Sequence, residues 1–324
     1  MKFQELKNSI EEGAKKFYLI EGEDGYLREY SYTLLKNAFL HEPSLNLSCF
    51  EGDDVKSQPE NLITAIESYP FMSEKRLVVV REYYPTAQDL KNKALFNSLS
   101  EILESTILIV INSSKSEQLK KLQSVTVVDC SKLDEIVIIK WLKNQAKKKN
   151  IEISTEACEL LCNYTSLDMY KISSEFEKLY AYCLNEGKIT AVAVEKTVTK
   201  DTDYQIYELS ENIANSKYDI AYENLKTMLE KNRDKQMLFM SIYYHFRRLF
   251  YVSISKGTDA ELAESLGVKE YAIKRARVQA KKFSQKRLMA IVEKLSNYDT
   301  QFKSGKISVT DALLNAIFNI IIGG

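Results

Sequence analysis

Proline and glycine are scarce in this chain of 324 residues, 4 and 10 in all, which leaves little room for long irregular loops and points to a largely helical protein. There are two histidines, His41 and His245. Neither stands in a catalytic context in the sequence, so no catalytic pair or triad is legible and no catalytic residue is assigned. Five cysteines, Cys49, Cys130, Cys158, Cys162 and Cys183, form no CxxC pair; an odd number without a secretory leader fits free thiols in a reducing cytoplasm. Cys158 and Cys162 stand one helical turn apart, yet no histidine or further thiol lies near them in sequence, so they are expected to be small core residues, and no metal is expected. Net charge is also missing, with 45 basic residues against 45 acidic, so bulk electrostatics predict neither a nucleic-acid nor a membrane binder. The first residues, MKFQELKNSIEEG, contain no apolar stretch of the kind a signal peptide needs. The most apolar tail, ALLNAIFNIIIGG from Ala312, is interrupted by Asn315 and Asn319 and is too short to span a bilayer, so no membrane partner is expected.

The alternation of apolar runs and helical periods predicts strands at Phe17 to Glu21, Leu45 to Phe50, Arg76 to Arg81, Thr106 to Ile111 and Val125 to Val128. Helices are expected between them at Tyr26 to Phe39, Gln58 to Ser68 and Ala87 to Glu104. Alternating units of this kind imply a parallel sheet with right-handed crossovers. A helix over Leu133 to Lys149 follows, with Ile136, Ile139, Trp141 and Leu142 on its apolar side and Lys147 to Lys149 as its polar finish. Ser154 is placed to cap a helix over Thr155 to Tyr164, and Asp168 opens another in which Ile172, Phe176, Leu179 and Cys183 share one face. From Tyr207 the chain reads as seven helices in succession: Tyr207 to Asn215, Lys217 to Glu230, Lys235 to Ser255, Asp259 to Leu266, Glu270 to Phe283, Lys286 to Ser304 and Val309 to Ile322. Three domains are expected, over 1–140, 141–205 and 206–324, an α/β domain followed by a small helical domain and an all-α one.

The strand, glycine turn and helix near the start occupy the place where a nucleotide-binding fold keeps its phosphate loop. Counting from Gly22, the positions that should read Gly, Lys and Ser or Thr hold Leu27, Arg28 and Glu29, and Glu23 and Asp24 would repel phosphate. After Ile107 to Ile111 come Asn112, Ser113 and Ser114 rather than a carboxylate pair for magnesium. The domain therefore reads as an ATPase-like fold with a degenerate site, and no cofactor is expected.

The stretch YPFMSEKRLVVVRE, Tyr69 to Glu82, joins a proline turn to a β-branched strand. Leu77, Val78, Val79 and Val80 suit a strand covered on both faces. Pro70 lacks an N–H and restricts Tyr69, so the preceding helix must end and Phe71 and Met72 fall on a loop. Pattern alone allows two outcomes: the pair packs under its own sheet, or it is presented as an anchor for a partner's pocket.

An apolar-Pro-Phe-apolar turn followed by Ser-Glu-basic-Arg and a Leu-Val strand resembles the clamp-gripping element of the delta subunit of the bacterial DNA polymerase III clamp loader. Three further segments resemble that family in the same order: Phe17 to Tyr30, Ile151 to Tyr182 and Glu261 to Ser284. The resemblance implies an AAA+-like clamp-binding domain, a small lid-like helical domain and a helical collar, with no ATP hydrolysis of its own and polymerase chemistry in other subunits. It implies Tyr69, Pro70, Phe71 and Met72 as the clamp-binding residues, the sliding clamp (beta subunit) as first partner, and the gamma/tau and delta prime subunits as partners through the collar. Met72 stands where the family often has a second Phe, a departure that methionine's adaptable thioether tolerates.

Two other stretches compete for attention. Glu261 to Ala276 reads locally as a helix-turn-helix with Gly267 in its turn, and Lys269 to Arg287 carries eight basic residues and one acidic. Ile273, Ala276, Ala280 and Phe283 should be buried, leaving Lys274, Arg275, Arg277, Lys281 and Lys282 as candidates to face DNA. Such residues bind phosphates, so sequence-independent contact with primed DNA fits better than base reading. A sequence-specific regulator remains the alternative reading. The aromatic run Tyr243 to Tyr251 around Arg247 and Arg248 is expected to be a helix interface.

Overall fold

The computed structural model describes residues 1–268 and 270–322, the side chain of 322 excepted; Lys269, the first residue of the basic run, lies outside them. The chain divides into two compact units, one formed by Met1–Trp141 with Met169–Ser174, the other by Leu142–Asp168 with the chain from Glu175 onward.

The first unit is built on five parallel strands, β1 (Phe17–Glu21), β2 (Leu47–Glu51), β3 (Arg76–Arg81), β4 (Thr106–Asn112) and β5 (Val125–Asp129), in the order β2-β3-β4-β1-β5. The register runs Leu77 opposite Ile107, Phe17 opposite Leu108 and Phe17 opposite Val125, so the apolar cores of the central strands lie side by side. Every residue of β1 and β4 is buried, as are Leu77 to Val80 in β3, which is what helices on both faces require. One face packs Leu62, Ile66, Leu95 and Leu99 against Phe17, Leu19, Val78, Val80, Leu108 and Val110. Burying such side chains contributes about 1.5–3 kcal/mol each, and Tyr18, Ile20, Leu77, Val79, Ile107 and Ile109, which alternate with them along the strands, are buried as well.

Three expectations are corrected. The first half of the predicted Ala87–Glu104 helix is a turn around Asp89–Lys91; the helix itself is Lys93–Ser100, because Asn92 caps it by accepting from the N–H groups of Ala94 and Leu95. The start of the second strand is instead a helical turn, Pro43–Asn46, with proline at its first position, where its missing N–H costs nothing. In the helix Glu135–Lys148, Ile136 is exposed and the buried side is Ile138, Trp141 and Leu142, with Trp141 edge-on to Tyr26 at 6.0 Å. A further feature was not foreseen: the first residues extend the sheet, the Met1 amino group donating to the Val127 carbonyl at 2.7 Å and Asp129 N–H to the Met1 carbonyl at 2.9 Å.

In the second unit Ser154 caps Thr155–Tyr164 by accepting from Ala157 N–H, and Cys158, Cys162, Phe176, Leu179 and Cys183 are buried. Later in the same unit the seven expected helices are present: Thr202–Ala214, Tyr218–Lys231, Lys235–Ile254, Asp259–Leu266, Glu270–Ala280, Gln285–Lys303 and Val309–Ile322. They share one core that includes Leu209, Leu225, Phe239, Ile242, Phe246, Leu288 and Leu313. Among the described residues no helix is long and apolar enough to cross a membrane.

Candidate functional site

The helix Pro59–Glu67 ends three residues ahead of Pro70, and Ser68 leaves it in an extended conformation. The chain then turns outward before entering β3. Tyr69 is 77 % exposed, Phe71 58 % and Met72 87 %, while Pro70 is half-buried. Of the two outcomes the sequence left open, the structure excludes the first: Phe71 and Met72 do not pack under their sheet. Met72 holds a left-handed backbone, φ +48°, a conformation that non-glycine residues keep only when their surroundings enforce it. The enforcement is visible on both sides of it. Upstream, the side chain of Asn46, itself fully buried, accepts from Phe71 N–H at 2.7 Å and donates to the Phe71 carbonyl at 3.0 Å. Downstream, Ser73 Oγ donates to the Lys75 carbonyl at 3.2 Å, Lys75 Nζ to the Glu104 carbonyl, and Arg76 to Ser48 Oγ at 3.0 Å.

Sequence reasoning missed Asn46. The only signal was an asparagine between a Pro43 helical turn and an apolar strand, and nothing local ties it to a residue 25 positions on.

Because all five strands are parallel, this turn at the N-terminal end of β3 and the glycine turn at the C-terminal end of β1 lie at opposite ends of the strands. The glycine turn is filled by its own chain. Asp24 caps the helix Gly25–Phe39 by accepting from Leu27 N–H at 3.1 Å, placing a carboxylate where a phosphate would need amides. Asp24 N–H is taken by the Cys130 carbonyl at 3.0 Å, and Arg28 turns back onto the Gly22 carbonyl. At the end of β4, Asn112 does not face solvent as a ligand; it is buried and pairs with both the N–H and the carbonyl of Tyr83, at 2.9 and 2.8 Å. One carboxylate that the sequence reading passed over, Glu82, follows β3, and its oxygens accept from Ser113 Oγ at 2.9 Å and Tyr84 Oη at 2.6 Å.

The basic run of the second unit is spent largely within the protein. Lys274 pairs with Glu270 at 2.9 Å, Arg277 with Asp259, and Lys282 with Glu211. Arg275 lies 3.9 Å from the centre of the Tyr207 ring and 5.6 Å from those of Tyr204 and Tyr271. Lys281 stands exposed. Ile273, Ala276, Ala280 and Phe283 are buried as expected, and Gly267 closes the preceding helix in a left-handed conformation, φ +63°. Gln279, the amide that a base-reading helix would offer, is buried and donates to the Tyr207 carbonyl at 3.0 Å and to Glu211 at 3.2 Å.

Gln279 also holds His245. The imidazole Nε2–H points at Gln279 Oε1, 3.0 Å away, and at Ser210 Oγ, 2.8 Å away, whose own hydrogen goes to the Tyr207 carbonyl. Burial, with Arg248 and Arg275 nearby, depresses the His245 pKa to about 3. The unfolded chain then takes up a proton below the ordinary value of about 6.5 that the native state refuses, so stability falls with pH by about 1.4 kcal/mol per unit from there down to the native value. Urea unfolding of His245→Asn should lack this component, its stability changing with pH by one proton less than that of the wild type between about pH 4 and 6; parallel profiles would refute the assignment.

Two family models match the chain: "DNA polymerase III, delta subunit" over residues 18–131 and "DNA polymerase III delta subunit, C-terminal domain" over 203–319. The chain belongs to the DNA polymerase III delta subunit family. Among curated relatives of this delta subunit, the DNA polymerase III subunit delta of Bacillus subtilis is 26 % identical over 308 residues, covering 89 % of this chain and 88 % of its own. That of Buchnera aphidicola is 23 % identical over 59 % of this chain and 60 % of its own. The solved structure of the Bacillus subtilis DNA clamp loader delta protein, 22 % identical, superposes with a TM-score of 0.75 over 98 % of both chains and shares the fold.

Proposed function

We propose that this delta subunit grips the sliding clamp through Tyr69, Pro70, Phe71 and Met72 and holds one interface of the ring open while the clamp is loaded on primed DNA. The observation that carries the reading is the turn itself: large apolar side chains left in water on a stiffened loop, braced by a buried asparagine. An anchor ordered before binding loses little entropy on docking, and filling an apolar pocket with Phe71 contributes roughly 1.5–3 kcal/mol. Clamp opening follows if the turn binds the open ring better than the closed one, since a ligand shifts an equilibrium only by its differential affinity.

In this reading residues 1–140 dock on the clamp, 141–205 form a lid-like link, and 206–324 are the collar that meets the gamma/tau and delta prime subunits in the cytoplasm. The self-filled glycine turn supports leaving ATP hydrolysis to other subunits. Contact of the collar with primed DNA would be independent of sequence and centre on Lys281 and the rim formed by Lys274, Arg275, Arg277 and Lys282. The internal pairing of these residues and the burial of Gln279 weigh against the sequence-specific regulator.

Titration calorimetry of the full chain against the sliding clamp of the same organism is the direct test. Saturable binding with a negative heat-capacity change is expected, the mark of apolar burial. A folded chain that gives no heat with the clamp would overturn the proposal.

A further inference from the structure

We propose that Asn46 is the positioning residue that presents Phe71, an inference that rests on reading the Tyr69–Met72 turn as the docking element. A primary amide offers a donor and an acceptor side by side in one plane, so it can pair with both the N–H and the carbonyl of a single residue. Asn46 does this to Phe71 at 2.7 and 3.0 Å and directs its donors also to the His41 carbonyl, 3.3 Å away. The side chain stands immediately before β2, whose Leu47 is in register with Leu77 of β3, so it is anchored to the sheet edge from which the turn departs.

The same device occurs a second time in this unit, and the comparison separates its two uses. Asn112 holds the N–H and carbonyl of Tyr83 at 2.9 and 2.8 Å, and the Tyr83 ring it positions is buried in the core, 1 % exposed. Asn46 is buried to the same degree but fixes an aromatic that is 58 % exposed and lies outside the cluster that Tyr83 belongs to. Clamping Phe71 therefore serves something outside the folded unit. It also holds the chain where Met72 must adopt its positive φ, so the turn is kept in one shape before any partner arrives.

A residue that sets the competent fraction of a loop acts on apparent affinity in proportion to that fraction. Surface plasmon resonance of the full chain on the immobilised sliding clamp should find Asn46→Ala slowed in association by tenfold or more, with dissociation changed less than twofold. Phe71→Ala, which removes the contact itself, should instead speed dissociation. Asn46→Ser, which puts one shorter hydroxyl in place of the paired amide donor and acceptor, offers a milder second variant, and Asn112→Ala controls for a lost buried amide: it should lower the melting temperature while leaving association of the folded fraction unchanged. Amide hydrogen exchange of the wild type needs no variant; Phe71 N–H should be protected although its side chain is solvent-exposed. Wild-type association by folded Asn46→Ala or Asn46→Ser, or a Phe71 amide that exchanges as fast as an open loop, would overturn the inference and leave the docking role intact. A wild-type chain that ignores the clamp, or Phe71→Ala that binds like the wild type, would instead remove the docking role.

Discussion

Phe71→Ala should weaken binding to the sliding clamp by roughly ten- to hundredfold while leaving the melting temperature where it was. The size follows from burial of one aromatic side chain, about 1.5–3 kcal/mol, at 1.4 kcal/mol per factor of ten. The unchanged stability follows from exposure: the ring is outside the core that holds the sheet together, and Asn46 bonds to the backbone of residue 71, which alanine retains. Met72→Ala should cost less, because the flexible thioether side chain makes a softer contact and loses more rotamer freedom on docking. The decisive pair of measurements is the dissociation rate and the thermal unfolding curve on the same preparation. Binding within twofold of wild type by a folded variant would place the contact elsewhere.

Gly22→Ala should be the more severe change for the protein itself. A Cβ at this position would stand 2.2 Å from the Cys130 carbonyl carbon, 2.4 Å from its oxygen and 2.5 Å from Ser131 N, all backbone atoms, and the residue has φ +143°. Neither strand end can retreat, since Cys130 N–H donates to the Glu21 carbonyl at 2.7 Å and the Cys130 carbonyl accepts from Asp24 N–H at 3.0 Å. Overpacking and an unfavourable backbone together cost about 2–5 kcal/mol, a large part of the stability of an ordinary domain. Urea unfolding should register the loss, and a free energy within about 0.5 kcal/mol of wild type would show that the two strand ends separate easily. The outcome also bears on what the turn is for. Gly22 occupies the position of a phosphate-loop glycine, yet what requires glycine there is the approach of the chain leaving β5.

Local chemistry made much of this legible. Four successive apolar residues at Leu77 announced a strand buried on both faces, the 3.6-residue period announced the helices after Tyr207, and Pro70 announced that the chain must leave its helix before Phe71. The resemblance of the Tyr69–Glu82 segment to the delta family led to the family that the two models match. Other features were invisible because their cause lies far along the chain. Apolar periodicity placed Ile136 on a buried face, but which side of that helix meets the protein depends on what packs against it, and Ile138 took the place. The basic run was readable as charge; that Arg277 and Lys282 are held by Asp259 and Glu211, and Arg275 by a tyrosine ring, required the fold to bring those partners in.

By itself, then, the sequence determined the kinds of element, their order, the proline turn that carries Phe71 and Met72, and the loss of the phosphate-loop residues, because each depends on backbone preference or side-chain chemistry within a few positions. The strand order, the outward direction of Phe71, and the two asparagines that fix Phe71 and Tyr83 were decided only in the tertiary structure. Asn46 and Phe71 are 25 positions apart, Asn112 and Tyr83 are 29, and a hydrogen bond between such residues exists only once the parallel sheet has set their strands side by side.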